Sequence, residues 1–295
     1  MAEFVKLYDA VFFDWDGTAV ESRYADASAV AGDMEKLLMT GVKLIIISGT
    51  TYENIAGGRL HEMISAEALG NLFLGLGRGA YQYGFEAGKP VMLSDLTPPK
   101  EKMLKLHRFC YDIHEWLYRE FDYNTDVIFC RTNYCKIDLM PGFDRKGLMF
   151  LQDDEVGRVL EMLAEKGVPG GLPGLIRRAA SDPDLPDVKG TSDAKHLEVG
   201  FTTKGDNVDF FVEHLYNRFG IKMETSAFLG DEFADLADGV PGSDAMMITQ
   251  SSKDADFFDV SSACRRLPEN VVPMGGGVPA FREFIKAQTR MRTVV

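Results

Sequence analysis

The sequence predicts an α/β fold built from a parallel sheet with helices on both faces, interrupted by a second, inserted unit. Short apolar runs that are typical of buried strands alternate with segments of helical periodicity in residues 1–86, and this alternation returns in residues 189–295. Polar residues follow several of these runs directly. We therefore expect a Rossmann-like core formed by residues 1–86 and 189–295, with residues 87–188 inserted as an α+β cap domain.

The first predicted strand covers residues 10–13 and runs directly into two acidic residues, Asp14 and Asp16. Ligands of open α/β sheets bind at the carboxyl ends of the strands, and Gly17 allows a sharp turn there. Two carboxylates this close repel each other unless they share a proton or bind a cation, and oxygen ligands suit Mg²⁺. The alternative is a strand that simply ends in an Asx turn.

The second predicted strand, residues 42–47, ends at Ser48, Gly49 and Thr50, and a helix is expected over residues 52–63. A hydroxyl and free N–H groups at the start of a helix form an anion site, which would place Gly49 and Thr50 against a substrate phosphate. The alternative is that Ser48 or Thr50 only caps the helix.

A third apolar run, residues 71–76, leads into Gly77, Arg78 and Gly79. The glycines indicate a tight loop where the backbone approaches another group. Arg78 and Gly79 are thus candidate substrate contacts, although a solvent-exposed arginine is the commoner outcome and is favoured for Arg78 taken alone.

The inserted segment is punctuated by prolines and has its own mixture of elements. The expected elements are helices over residues 100–120 and 155–166, a hairpin of residues 126–130 and 135–140, and loops at residues 169–174 and 182–186.

The α/β alternation then resumes with a strand at residues 196–201, and Lys204 stands in a loop ahead of a helix over residues 206–219. A lysine at that place would face a bound phosphate. The remaining expected elements are a strand over residues 226–230 that ends in Asp231 and Asp235, a strand over 245–249, and a helix over 278–291.

Composition excludes several classes of function. The chain has 295 residues, with 32 basic and 45 acidic side chains and a net charge of −13, whereas nucleic-acid binding needs a basic surface. No apolar stretch approaches the ~18 residues of a membrane span, and no secretory signal is visible, so we expect a cytoplasmic protein. The four cysteines form no C-x-x-C pair, which disfavours a zinc site.

Taken together, the polar groups at the strand ends resemble the four motifs of the haloacid dehalogenase-like phosphotransferases. The motifs are residues 14–18, 48–50, 204–205 and 230–235, and the insertion lies where the family's type II cap would be. Ala234 stands where many type II members have Asn, so the fourth motif looks more like that of the trehalose-phosphate and sucrose-phosphate phosphatases.

The resemblance implies roles that agree with the chemistry of the side chains. Asp14 would be the nucleophile that becomes an aspartyl-phosphate, and Asp16 would protonate the leaving oxygen and then deprotonate water. Ser48 would donate a hydrogen bond to the phosphoryl group, and Lys204 would neutralise its charge.

The resemblance also implies the ligands of one Mg²⁺ ion. These are the Asp14 carboxylate, the backbone carbonyl of Asp16 and the Asp231 carboxylate, with Asp235 as a further ligand or a support for one.

The expected function is a Mg²⁺-dependent phosphatase that acts on a small phosphorylated metabolite, with a phosphosugar as the favoured substrate. One rival is a phosphomutase, because the sequence also resembles the phosphomannomutase branch. The candidate donors to its second phosphate are Arg131, Lys136, Arg145 and Arg177. The other rival is a non-catalytic binding protein on the same fold. The sequence does not indicate an oligomeric state.

Overall fold

The computed structural model describes residues 6–143, 155–262 and 265–293, and it contains two β-sheets. The larger sheet contains β1 (Ala10–Phe13), β2 (Lys43–Ile47), β3 (Leu72–Leu76), β4 (Tyr81–Glu86), β5 (Lys89–Asp95), β10 (Ser226–Gly230), β11 (Asp256–Asp259) and β12 (Val271–Pro273). The smaller sheet contains β6 (Asp126–Ile128), β7 (Tyr134–Asp138), β8 (Lys189–Ser192) and β9 (His196–Gly200).

The strand order of the larger sheet is β12-β11-β10-β1-β2-β3-β4-β5, so the first strand lies in the middle. The six strands from β12 to β3 run parallel, and β4 and β5 are antiparallel additions at one edge. Central parallel strands are covered on both faces, and the first three strands are buried at every position.

Seven helices accompany the sheets in the described part of the chain. They are α1 (Ser28–Leu38), α2 (Ala66–Leu69), α3 (Lys100–Phe121), α4 (Glu155–Glu165), α5 (Gly171–Ala179), α6 (Lys204–Phe219) and α7 (Gly277–Thr293).

The alternation of side chains along β1 shows that the core has helices on both faces. Val11 and Phe13 lie in the apolar cluster that contains α1 and α7. Ala10 and Phe12 lie in a second cluster with Val208, Phe211 and Leu215 of α6. Successive strand residues point to opposite faces, so one strand anchors both layers. The expected α/β class is confirmed.

The smaller sheet has the order β6-β7-β9-β8, is antiparallel throughout, and carries α3, α4 and α5 in its own apolar cluster. Leu236 and Val240, from the loop after β10, also belong to that cluster. The smaller sheet and its three helices, called the cap below, therefore pack directly on the domain that contains the larger sheet, called the core. No helix of the described segments is both long and apolar enough to cross a bilayer.

The two sheets divide the chain at places that differ from the expected limits of 87 and 188. β5 extends the larger sheet to Asp95, and the smaller sheet continues through β8 and β9 to Gly200. Pro90 looked like a break, but it lies in an edge strand, where a missing N–H is tolerated.

Three local predictions were wrong. Residues 52–63 form short 3₁₀ turns, because Gly57 and Gly58 adopt positive φ angles that interrupt a helix. Residues 169–174 are not all loop, since α5 begins at Gly171 and tolerates Pro173 within its first turn. The strand expected at 245–249 is a 3₁₀ turn over Asp244–Met247.

Candidate active site

The carboxyl end of β1 carries Asp14, which is buried with only 7% of its surface exposed. Its N–H donates to the carbonyl of Leu229 at 3.0 Å. Because Phe13 is in register with Leu229 of the parallel neighbour β10, Asp14 and Asp231 emerge at the same edge of the sheet. The two acidic motifs are therefore adjacent, as the sequence indicated.

Asp244 completes this cluster, and the sequence motifs did not reveal it. One carboxylate oxygen from each of Asp14, Asp231 and Asp244 lies within 4.8 Å of the other two. Asp244 is fully buried, and its Oδ2 accepts the N–H of Glu232 at 2.9 Å. The local sequence Gly242-Ser243 directly before it indicates only a turn in the loop that follows β10.

Lys204 is the cation of this cluster. It is the first residue of α6, whose N-terminus is capped by Thr203 in a capping box with Asp206. Its Nζ donates to Asp14 Oδ1 at 3.0 Å and to Asp244 Oδ1 at 2.6 Å. The helix cap thus fixes the lysine between two of the three carboxylates.

Glycines allow the carboxylates to pack closely against the backbone. Gly17 has a φ of 89°, and a Cβ atom built there would lie 2.2 Å from Oδ2 of Asp231. The hydroxyl of Thr18 donates to Oδ1 of the same carboxylate at 2.9 Å. A Cβ atom at Gly230 would lie 2.3 Å from Oδ2 of Asp244. Larger residues at either position would displace a carboxylate.

The electrostatics of the cluster favour an additional cation. Burial raises the pKa of Asp14, Lys204 opposes this, and the neighbouring carboxylates of Asp244 and Asp16 raise it further. Burial, together with Asp244, Glu232 and Asp14, likewise raises the pKa of Asp231. One lysine does not balance three carboxylates, so a divalent ion would relieve their repulsion. The all-oxygen donor set fits Mg²⁺.

The pKa of Lys204 is shifted upward. Burial lowers it, but the attraction of Asp14, Asp244 and Glu232 outweighs burial. The lysine therefore remains charged.

Asp235, predicted as a metal ligand, does not belong to this cluster. It lines a separate cavity beside Leu236 and Arg265, and its N–H donates to the carbonyl of Arg266 at 2.9 Å. The prediction was based on the spacing within the motif. The chain after Asp231 forms irregular turns. The acid that joins Asp14 and Asp231 is therefore Asp244, which lies further along the sequence.

Asp16 lines the same cavity as Asp14 and has a partly satisfied carboxylate. Its Oδ2 lies 3.4 Å from Nη2 of Arg23, and its Oδ1 is buried without a hydrogen-bond partner. Burial raises the pKa of Asp16, although Arg23 and Lys204 oppose the shift. A carboxyl group in this setting is suited to exchange a proton.

Ser48, Gly49 and Thr50 line the cavity at the end of β2. The N–H of Thr50 donates to Oγ of Ser48 at 3.3 Å, and Oγ1 of Thr50 is buried without a partner. Because no α-helix follows, the expected helix-terminal anion site does not form. The two hydroxyls remain available to a ligand.

Arg78 is buried, whereas taken alone it was expected to be exposed to solvent. Its guanidinium pairs with Glu198 at 3.2 Å, donates to Oγ1 of Thr191, and lies 4.6 Å from the ring centroid of Tyr134. All three partners belong to the cap. Arg78 therefore links the core to the cap at the rim of the cavity.

Gly79 packs against α6 and is not part of the cavity lining. Its N–H donates to Oδ1 of Asn207 at 2.7 Å, and a Cβ atom there would lie 2.5 Å from the carbonyl of Thr203. The glycine thus permits close approach of the loop to the helix that carries Lys204.

The cavity has a volume of about 210 Å³ and is walled by both sheets. Its wall from the smaller sheet and the adjoining loops consists of Ile128, Arg131, Tyr134, Lys136, Asp193, His196 and Glu198. Of this wall, the sequence singled out Arg131 and Lys136. Asp193, His196 and Glu198 were missed because the strand around residue 196 was assigned to the core.

Charges on this cap wall are mostly paired. Lys136 lies 3.0 Å from Asp193 and 2.8 Å from Glu198, and these acids raise its pKa more than burial lowers it. His196 Nδ1 lies 3.0 Å from Asp193. Burial raises the pKa of Glu198, but Arg78 and Lys136 lower it below its ordinary value.

Solved structures share this architecture of a mostly parallel sheet with an inserted second sheet, which confirms the expected fold. An IMP-bound, N-terminally truncated IMP-nucleotidase of Plasmodium falciparum aligns with a TM-score of 0.60 at 11% identity, over 98% of this chain and 69% of that chain. SMU.1108c from Streptococcus mutans UA159 aligns with a TM-score of 0.53 at 11% identity, over 94% and 97% of the two chains. No protein-family model matches the sequence, and a search of curated proteins finds no significant match.

Replacing Gly17 tests the packing of the acidic cluster. Gly17→Ala is expected to lower the free energy of unfolding by more than about 1 kcal/mol, because alanine is strained at this positive φ and its Cβ would meet Asp231. Gly32→Ala is the matched control: Gly32 lies inside α1 with nothing within 4 Å of its Cβ position, and a gain of about 0.5–1 kcal/mol is expected. Urea unfolding measures both. Equal stability of Gly17→Ala and the native chain would contradict the close contact.

Proposed function

We propose that this protein is a Mg²⁺-dependent phosphomonoesterase that hydrolyses a small phosphorylated metabolite, with a phosphosugar as the favoured substrate, through an aspartyl-phosphate. The observation that carries this proposal is the cavity shared by Asp14, Asp16, Ser48 and Lys204, with two further carboxylates behind it. The likeness in fold to a nucleotidase supports phosphoryl chemistry on this scaffold.

Asp14 is the proposed nucleophile. Lys204 holds Oδ1, while Oδ2 accepts no hydrogen bond from the described residues and is free to attack phosphorus. The attack forms an Asp14–phosphate bond and breaks the bond to the leaving alkoxide oxygen. Such positioning and charge neutralisation supply most of the catalysis in phosphoryl transfer.

Asp16 is the proposed acid and base. Its raised pKa favours the protonated carboxyl group, which can give its proton to the leaving oxygen. The resulting carboxylate then takes a proton from the water that attacks the phosphoaspartate. This step releases inorganic phosphate and restores both aspartates.

Mg²⁺ would be held by carboxylate oxygens of Asp14, Asp231 and Asp244, with the Asp16 carbonyl as a further proposed ligand. When bound, the ion supplies positive charge to the phosphoryl oxygens. Lys204 adds a second cation from the protein itself.

Ser48, Gly49, Thr50 and Arg78 are the proposed contacts to the substrate phosphate. The oxygen of Ser48 accepts from the Thr50 N–H, so its own O–H is free to donate. The unpartnered Oγ1 of Thr50 and Nη1 of Arg78 are further polar atoms available in the same cavity lining.

A phosphomutase remains the second candidate, because two of its four suggested phosphate donors, Arg131 and Lys136, line the cavity. Lys136 is already paired with two acids, Arg177 is exposed on α5, and Arg145 lies outside the described residues. Isomerisation that depends on a bisphosphate activator would favour the mutase.

The proposed function predicts metal-dependent phosphate release that requires Asp14. We expect the native protein to hydrolyse p-nitrophenyl phosphate and members of a phosphosugar panel with Mg²⁺ present and to lose activity with EDTA. Asp14→Asn should abolish turnover because the amide is not a nucleophile. The control is Asp112→Asn, an exposed residue on α3, which should retain full activity. A folded native protein that releases phosphate from no substrate would contradict the proposal, and ligand binding without turnover would favour a binding protein.

A second prediction distinguishes Asp244, which belongs to the observed carboxylate cluster, from Asp235, which the motif spacing predicted as a metal ligand. Asp244→Asn is expected to lower kcat/KM on the order of 10²–10³-fold, because Asp244 orients Lys204 and completes the carboxylate group. Asp235→Asn, the matched control, should change kcat/KM by less than about threefold because Asp235 lines another cavity. A larger loss of kcat/KM in Asp235→Asn than in Asp244→Asn would instead assign the role of metal ligand to Asp235.

A further inference from the structure

The cavity contains a concentration of buried polar atoms that lack partners. Five such atoms belong to its lining: Asp16 Oδ1, Arg23 Nε, Thr50 Oγ1, Arg78 Nη1 and Arg131 Nε. Buried polar groups in folded proteins are nearly always hydrogen-bonded, so this set points to a polar ligand. Four of the atoms lie on the core side, and the fifth, on Arg131, lies on the cap side.

Arg131 differs from the other cations of the cavity in having no acidic partner among the described residues. Arg23 pairs with Asp16, Arg78 with Glu198, Lys136 with Asp193 and Glu198, and Lys204 with Asp14 and Asp244. The acids of the cap wall are thereby already engaged by other cations. The charge of Arg131 is left available to an anion in the cavity.

The loop that carries Arg131 is fixed over the core by the two residues that follow it. Oη of Tyr81, in the larger sheet, donates to Oγ1 of Thr132 at 2.7 Å. The amide of Asn133 donates to the carbonyl of Gly77 at 2.7 Å and to Oγ1 of Thr202 at 2.8 Å. These bonds hold the Arg131 backbone at a set place relative to the catalytic edge. A guanidinium on a fixed loop is a preorganised site for a carboxylate or phosphate.

Apolar surface adjoins this position. Ile128 precedes the loop and Tyr134 follows it, and both line the cavity. They provide contact for a carbon skeleton that extends from the core side to the cap side.

We infer that Arg131 determines substrate specificity by binding a second anionic group of the substrate, distal to the phosphate that Asp14 attacks. This inference rests on the proposed function. It narrows the substrate class to phosphorylated sugars or sugar-like molecules that also carry a carboxylate or a second phosphate. The shared chemistry is an oxyanion with two oxygens that accept parallel hydrogen bonds from the guanidinium.

The test measures equilibrium binding to Asp14→Asn, in which turnover is blocked, so affinity is read independently of hydrolysis. Two matched ligand pairs are titrated in Mg²⁺: 3-phosphoglycerate against glycerol 3-phosphate, and glucose 1,6-bisphosphate against glucose 6-phosphate. The first pair differs by a carboxylate and the second by a phosphate. We expect the more anionic member of at least one pair to bind about 10- to 100-fold more tightly, and the pair that shows it identifies the anion.

The same titrations are repeated with Arg131→Gln added to Asp14→Asn. The preference should disappear in this double variant and persist with Arg177→Gln, an exposed arginine on α5. Circular dichroism confirms that each variant is folded, which is expected because Arg131 donates no hydrogen bond to a described residue.

Three results would overturn the inference: equal affinity within both pairs, a preference that survives Arg131→Gln, or no binding of either anionic ligand at millimolar concentration. A preference that depends on Arg131 in a protein that hydrolyses nothing would leave this inference standing and remove only the proposed phosphatase activity.

Discussion

The repulsion among three closely spaced carboxylates is the constraint around which the carboxyl edge of the larger sheet is built. Asp14, Asp231 and Asp244 meet at the ends of β1 and β10 and the following turn. Within the described residues, Lys204 is the one cation that pairs with any of them, through Asp14 and Asp244. Such an arrangement costs stability unless further positive charge arrives. The proposed metal ion and the role of Lys204 therefore follow from the same electrostatic deficit, and Gly17 permits the close packing that creates it.

The smaller sheet provides the second wall of the cavity at this edge. Arg78 reaches from a core loop to Glu198 and Tyr134 of the cap, and Asn133 reaches back from the cap to the core. These contacts fix the two walls of the cavity relative to each other. Excluding bulk water from a site of this kind strengthens its electrostatic interactions and protects a phosphoaspartate from uncontrolled hydrolysis.

Local sequence patterns predicted the fold class and the residues at the strand ends, because apolar runs and the carboxyl ends of parallel strands obey simple rules. Asp14, Asp16, Ser48 and Lys204 line one cavity for that reason. Asp244 was missed because its contact with Lys204 spans 40 residues and leaves no local spacing. The same limit applies to the smaller sheet. Short strands such as Lys189–Ser192 and His196–Gly200 carry no signal of which sheet they join, so their place in the smaller sheet was not predicted.

The central claim is that Asp14 becomes covalently phosphorylated during turnover. The most direct measurement is to mix the protein with p-nitrophenyl phosphate and Mg²⁺, quench the reaction, reduce the mixture with borohydride, and map the peptides by mass spectrometry. Reduction converts an aspartyl-phosphate to homoserine, so the account predicts homoserine at position 14 only in the presence of substrate. Turnover accompanied by an unmodified Asp14, or by modification of another residue, would contradict it.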